Sequence, residues 1–319
     1  MLTSALSFLL LFSPGYPSAG DLEEAIGLYE TGEYKRAATL LSQLGRSSPE
    51  APEIRLWLGK SYLKIRDWNG AVREMEKAVE LEPSNALFHL WLGRACGARA
   101  SHSVFFTAIR WAGRVLREFE AAVRLSPENL DPRFDLLDFY INAPGIVGGG
   151  KEKADTQAQA IAKLDPKKGF VARAMIFEKA KNWNLARKEL TGATLAHPDD
   201  ADAHKDLADF LLSRNDFGGA MKSARRALTL NCQSKRARLI LAASAIRQRV
   251  DLEEAGEILR ELAAGTLRDE DPAFEEVYGW LGEFYLASGD KAKAREAFKS
   301  ALAFNPEYEP AKTGVSRLR

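Results

Sequence analysis

Apolar residues recur along this chain at spacings of three, four and seven, the period of helices that each hide one face. Residues 52–85 show the pattern most clearly. Leu58, Gly59 and Tyr62 fall on one face of a first helix, and Ala71, Met75 and Ala78 on one face of a second. Asp67-Trp68-Asn69-Gly70 reads as the turn between them. Pro83 ends the second helix, because its ring clashes with the preceding turn and it lacks an amide hydrogen. Gly59 and Ala71 are small where the two helices cross closely, and overpacking such a crossing costs about 1–3 kcal/mol.

This two-helix unit returns at a fixed interval. An alanine stands twelve residues before a proline five times: Ala37 and Pro49, Ala71 and Pro83, Ala154 and Pro166, Ala186 and Pro198, Ala294 and Pro306. Ala220 to Cys232, Ala255 to Leu267 and Val115 to Pro127 keep the spacing with one substitution each. A period near 34 residues means stacked helical pairs, none of which buries its apolar face alone. Eight units are expected, at 18–51, 52–85, 86–129, 130–166, 167–200, 201–234, 235–268 and 275–308. Residues 309–319 would form a capping helix over the last unit.

Two units depart from the period. The third is about ten residues too long, with the surplus around Gly97 to Thr107. Val104, Phe105, Ile109, Ala112, Leu116, Phe119 and Val123 continue there at helical spacing, so the second helix is expected to be lengthened. Arg110, Arg114, Arg117 and Arg124 fall near its other side, either as a solvated face or as an anionic contact. The fourth unit has an enlarged turn, Asn142 to Gly150.

The pattern resembles the tetratricopeptide repeat family over nearly all of residues 18–308. The last unit carries Leu281, Gly282, Tyr285, Gly289, Ala294, Phe298, Ala301 and Pro306. A small residue twelve positions before the second-helix alanine recurs at Ala25, Gly59, Ala174, Ala208 and Gly282. The resemblance implies an all-α, right-handed superhelical solenoid of about eight helical hairpins. The lengthened third unit and the Pro-Gly loop of the fourth are similar to those of exported bacterial proteins of the family. The resemblance also implies a concave groove lined by first helices, where ligands lie. The residue before each Leu-Gly pair would face it, and that residue is Trp57, Trp91 and Trp280, with Lys60, Arg94 and Glu283 one turn on. A large ring beside a cation suits an extended peptide, since rings supply area at little entropic cost. Each indole could instead pack on the neighbouring first helix. The groove asparagine with which some family members grip a C-terminal carboxylate is absent, which argues against that ligand.

Composition narrows the partner. The chain has 319 residues, 45 Lys plus Arg against 44 Asp plus Glu, and a net charge of +1. That balance gives no field to gather polyanions, so no nucleic acid is expected. Met1 to Gly20 carries no charged side chain, runs apolar from Leu6 to Phe12, and ends in small residues. It reads as a secretion leader, although its n-region lacks Lys and Arg. Export to the periplasm or outside the cell is the expectation, with no membrane span once the leader is removed. Cys96 and Cys232 fall in the third and sixth units, too far apart for a disulfide, and are expected to be free and buried.

Chemical motifs are sparse. Gly145, four residues, then Gly150-Lys151 approaches a phosphate-binding loop, but Glu152 stands where a magnesium-binding hydroxyl belongs, and a helix precedes the loop. A nucleotide-dependent or hydrolytic enzyme built on Gly145 to Lys151 is the alternative reading, and a self-assembling solenoid a further one. Ile146 and Val147, apolar between glycines, suggest a second partner contact. His89 and His204 hold equivalent first-helix positions and read as packing residues. No catalytic set, metal site or cofactor is expected. The favoured function is a non-catalytic scaffold that binds a protein or peptide through Trp57, Lys60, Trp91, Arg94 and Trp280, with Ile146 and Val147 as a second contact.

Overall fold

A carboxylate or amide ahead of the apolar run fixes where four of the second helices start. Asp67, Asp216 and Asp290 accept hydrogen bonds from the backbone N–H groups of Gly70, Gly219 and Lys293, at 2.8, 3.0 and 3.0 Å. Each cap satisfies an otherwise orphaned helix donor, worth about 1 kcal/mol. Trp68, Asn69 and Gly70 therefore form the first turn of a helix, whereas the sequence placed them in the loop. The reversal sits one step earlier, on a residue in the left-handed region. That residue is Gly32 or Gly289 in two hairpins and Arg66, Lys181 or Asn215 in three others, while in the seventh Arg249 and Asp251 both take that conformation.

The computed structural model describes residues 19–318. The expected leader, residues 1–20, lies outside them except for Ala19 and Gly20, which open the first helix. Hairpins one to four are α1 (Ala19–Glu30) with α2 (Tyr34–Ser47), α3 (Pro52–Lys64) with α4 (Trp68–Leu81), α5 (Ala86–Ser101) with α6 (Phe105–Leu125), and α7 (Leu130–Asn142) with α8 (Lys151–Leu164). Hairpins five to eight are α9 (Pro166–Lys179) with α10 (Trp183–Ala196), α11 (Ala201–Ser213) with α12 (Phe217–Leu230), α13 (Lys235–Gln248) with α14 (Leu252–Ala264), and α15 (Phe274–Ala287) with α16 (Lys291–Phe304). α17 (Glu309–Ser316) packs on α15 and α16. Among the described residues there are no strands, and the whole is a right-handed superhelical solenoid.

Packing repeats with the sequence. A Cβ at Gly59 would come within 2.7 Å of Met75 Cε, and one at Gly282 would run into the Phe298 ring. Neighbouring hairpins are also clamped by a recurring polar contact. The side chain six residues after the helix-ending proline donates back to that proline's carbonyl. Arg55 does so to Pro49 at 3.2 Å, His89 to Pro83 at 2.9 Å, Arg133 to Pro127 at 2.8 Å and His204 to Pro198 at 3.0 Å. Two of the histidines thus serve the stack. Cys96 is buried, but Cys232 is exposed, because it replaces a proline in the surface turn after α12.

The surplus of the third unit lengthens its helices. α5 has 16 residues and α6 has 21, against 13 and 14 in α3 and α4. Only His102 to Val104 connect them.

The stack also meets itself. The backbone N–H of Leu267 donates to the Glu30 carbonyl at 2.7 Å, and Arg66 reaches Asn305 Oδ1 at 3.0 Å and Glu307 at 3.1 Å. Phe304 lies edge-on to Tyr34, with ring centroids 6.0 Å apart, and Gly32 leaves room for it. The small rotation between successive hairpins has accumulated into a closed turn, with the first two hairpins against the last two and the segment between α14 and α15.

Enlarging the close crossing should be costly. Gly282→Val pushes a side chain into the fully buried Phe298 and should lower unfolding free energy by about 1–3 kcal/mol, read from urea denaturation followed by helicity.

Candidate functional site

The first helices α1, α3, α5 and α7 turn one face inward. Between them and the 269–270 segment lies a cavity of about 720 Å³. Leu22, Ile26, Leu56, Leu87, Phe88 and Leu90 supply its apolar wall, and Trp57, Trp91, Lys60 and Arg94 lie in the same cavity. The sequence missed Asp269, which joins them from the far end of the stack.

Lys60 is at the centre. Its side chain is only 7% exposed, and its ammonium lies 2.6 Å from Asp269 Oδ2. The same nitrogen is 3.6 Å from the Trp57 ring centroid and 4.8 Å from that of Trp91. Tyr29 donates its hydroxyl to Asp269 Oδ1 at 2.6 Å. Burial alone would raise the Asp269 carboxyl, but the Lys60 ammonium, the Tyr29 hydroxyl and Lys64 outweigh it and hold the group below the ordinary carboxylate range. Burial pulls the Lys60 ammonium below the usual lysine value, with Asp269 opposing. Burial and the neighbouring Asp269 push the Tyr29 phenol far upward, so it stays a donor.

Arg94 is held similarly. Its Nε donates to Asp135 Oδ2 at 2.6 Å, and its guanidinium lies 4.7 Å from the Trp91 centroid. The cations beside these tryptophans are therefore partnered within the molecule. The rim differs: Glu53, Asp131 and Glu270 are exposed and form no salt bridge among the described residues. The cavity thus has an aromatic and apolar wall, a neutralised centre and an acidic mouth.

Trp280 is not brought into this group. It lies in a second cavity of about 520 Å³ with Arg247, Tyr308 and Arg317. Arg247 covers its ring at 5.1 Å, and Glu283 bridges Arg247 and Arg317. Ile146 and Val147 form a 3₁₀ turn packed against α6, away from Trp57 and Lys60 in sequence and outside their cavity. Val147 packs into the core of hairpins two to four, and Ile146 points outward. Around them the backbone N–H groups of Val147, Gly148, Gly149 and Gly150 donate to the carbonyls of Pro144, Gly145, Pro144 and Tyr140. Donors that a phosphate would need are already used. Among the described residues no group of three or more His, Cys, Asp or Glu could hold a metal ion.

Residues 28–90, 171–234 and 275–308 each match a model of the tetratricopeptide repeat. The crystal structure of yeast Tom70 superimposes with a TM-score of 0.60 at 15% identity, over 97% of this chain and 65% of that one. The crystal structure of a tetratricopeptide repeat protein from Parabacteroides merdae aligns at 13% identity over 94% of this chain and 97% of its own, with a TM-score of 0.45. The chain thus spans 65% of the length of Tom70, and at 15% identity that likeness speaks to the fold alone. No curated protein matches the sequence.

The Lys60–Asp269 pair can be tested directly. Lys60→Met leaves the carboxylate with the Tyr29 hydroxyl and the more distant Lys64 and should cost about 1–3 kcal/mol, between an exposed and a fully buried pair, in urea denaturation at neutral pH. Because the Asp269 pKa is depressed, its contribution is present above about pH 4 and lost as pH falls through the depressed value. Asp269→Asn should therefore lose less stability than the parent between neutral pH and about pH 3, and equal losses would refute the assignment.

Proposed function

Because the chain belongs to the tetratricopeptide repeat family, we propose that it is a binding scaffold whose concave cavity takes a peptide segment of a protein partner. Proteins of the family bind protein or peptide partners generally and are typically non-catalytic. The observation that carries the reading is the combination of an aromatic wall with an acidic mouth. Trp57 and Trp91 offer rigid area, while Glu53, Asp131 and Glu270 keep charge available at the entrance. The matching ligand is a segment with apolar side chains and flanking lysine or arginine. Such cations would meet carboxylates that are still free, whereas an acidic segment would meet repulsion.

Lys60 and Arg94 have a positioning role in this reading. Each fixes an indole by a cation–π contact, so the wall is set before a ligand arrives and less entropy is lost on binding. Trp280 and its cavity would serve a separate subsite. The uncharged, apolar stretch from Met1 to Gly20 supports a working place in a bacterial cell envelope after export.

An array of peptides from the host's own proteins should retain basic, apolar sequences over acidic ones. The variant W57A/W91A should weaken the best of them at least about tenfold with helicity intact, and so should E53K/E270K, which leaves the wall untouched. Unchanged affinity in both would remove the cavity as the binding site. Fractionation with N-terminal sequencing tests export; the expected mature chain begins near Ser18 to Gly20, and an intact Met1 in the cytoplasm would overturn it.

A further inference from the structure

The two departures from the repeat meet across one hollow. α5 has 16 residues against 13 in α3, and α6 has 21 against 14 in α4. Ala98 and Phe105, from the surplus of the third unit, line a cavity of about 610 Å³. Ala108 and Ala112 on α6 line it too, and their small side chains leave its space open. Phe139 near the end of α7 and Val147 of the enlarged turn close it from the fourth unit.

The hollow adjoins the concave cavity, because Arg94 lines both. α7 also runs along both. Asp131 stands at the mouth of the concave cavity, and Asp135 and Asp138, four and seven residues on, line the hollow. Those spacings set the three carboxylates on one helix face. The middle one is neutralised by Arg94 at 2.6 Å. Asp138 is exposed and accepts a hydrogen bond from the Asn142 side-chain amide at 2.8 Å. Lys179 donates to Asn142 Oδ1 at 3.0 Å, and neither Asp131 nor Asp138 forms a salt bridge among the described residues.

We propose that the hollow is a second subsite for the peptide held in the concave cavity, taking one of its apolar side chains while a neighbouring lysine or arginine pairs with Asp138. The inference rests on the reading that the concave cavity binds a basic, apolar segment. Charge decides the occupant. The charged groups lining the hollow are Arg94, Asp135 and Asp138, and Arg94 is committed to Asp135, so the free charge is negative. A fatty acid would suit the apolar wall but would bring its carboxylate against Asp138, whereas a cationic segment is attracted. Reach agrees. Asp131 and Asp138 are seven residues apart on α7, about 10 Å at 1.5 Å per residue. An extended peptide covers that distance in about three residues. One short segment therefore serves both cavities, with an apolar side chain for each and basic residues along α7.

The probe is the strongest basic, apolar peptide retained by the array, labelled with fluorescein, together with its single-alanine replacements. Affinities for the full chain are read by fluorescence anisotropy. D138K reverses the free charge and A108W fills the hollow, and both positions lie outside the concave cavity. Each should weaken the peptide at least about tenfold with helicity intact. The D138K loss should vanish in the peptide that already lacks one particular cation, and the A108W loss in the peptide that lacks one particular apolar side chain. Should A108W fail to fold, D138K alone decides. Parent-like binding by D138K while W57A/W91A is weakened overturns the second subsite and leaves the concave cavity standing. Losses that no alanine replacement in the peptide removes overturn it as well, since the variants then act through the fold. A loss in D138K and A108W with parent-like binding by W57A/W91A overturns both the shared peptide and the concave cavity, as does unchanged affinity in all three or an array that retains nothing.

Discussion

A buried ammonium needs a counter-charge, and for Lys60 it comes from more than two hundred residues away in sequence, at Asp269. That requirement couples the curvature of the stack to the chemistry of its interior. If the hairpins rotated slightly more or less per step, Asp269 would miss the ammonium, and Tyr29 would lose its acceptor. The contacts of Arg66 with Asn305 and Glu307, and of Leu267 with Glu30, depend on the same accumulated angle. Closure is therefore a property of the whole array, and the inner cavity inherits its shape from it.

Away from the closure, stability is distributed. Each hairpin buries a few large side chains, such as Leu41, Met75, Ile161, Leu259 and Phe298, against its own partner helix and the next hairpin. Burying each contributes about 1.5–3 kcal/mol. A solenoid built this way tolerates local departures, because a change in one unit reaches only its neighbours. The third and fourth units show that tolerance: one helix gains two turns and one loop several residues, while the Ala-to-Pro rhythm resumes at Ala154 and Pro166.

The fold was legible because it is written locally. The alternation of Gly59 or Gly282 with a facing Met75 or Phe298, and the proline twelve residues after each alanine, are short-range signals that repeat. The position of Trp57, Lys60, Trp91 and Arg94 on inner faces followed from the same register. What those groups touch did not follow, because Asp269 lies in the six residues left over between the seventh and eighth units. A leftover segment in a regular array carries no periodic cue. Its irregularity was the one available signal. Trp280 shared the register with the other two tryptophans but not the cavity, since position along the arc, not position in the repeat, decides which inner faces meet.

Glycines in the fourth-unit loop show how one composition serves different physics. Gly148 and Gly150 hold positive φ angles of 100° and 153°, and at Gly149 any side chain would strike the Ala143 backbone. These are the demands of folding a loop tightly back on α6, and they spend the amides that a phosphate cradle would present. The same tight fold sets Val147 inward and leaves Ile146 outside. The lengthened α6 and the enlarged turn thus pack on each other around Leu116 and Val147.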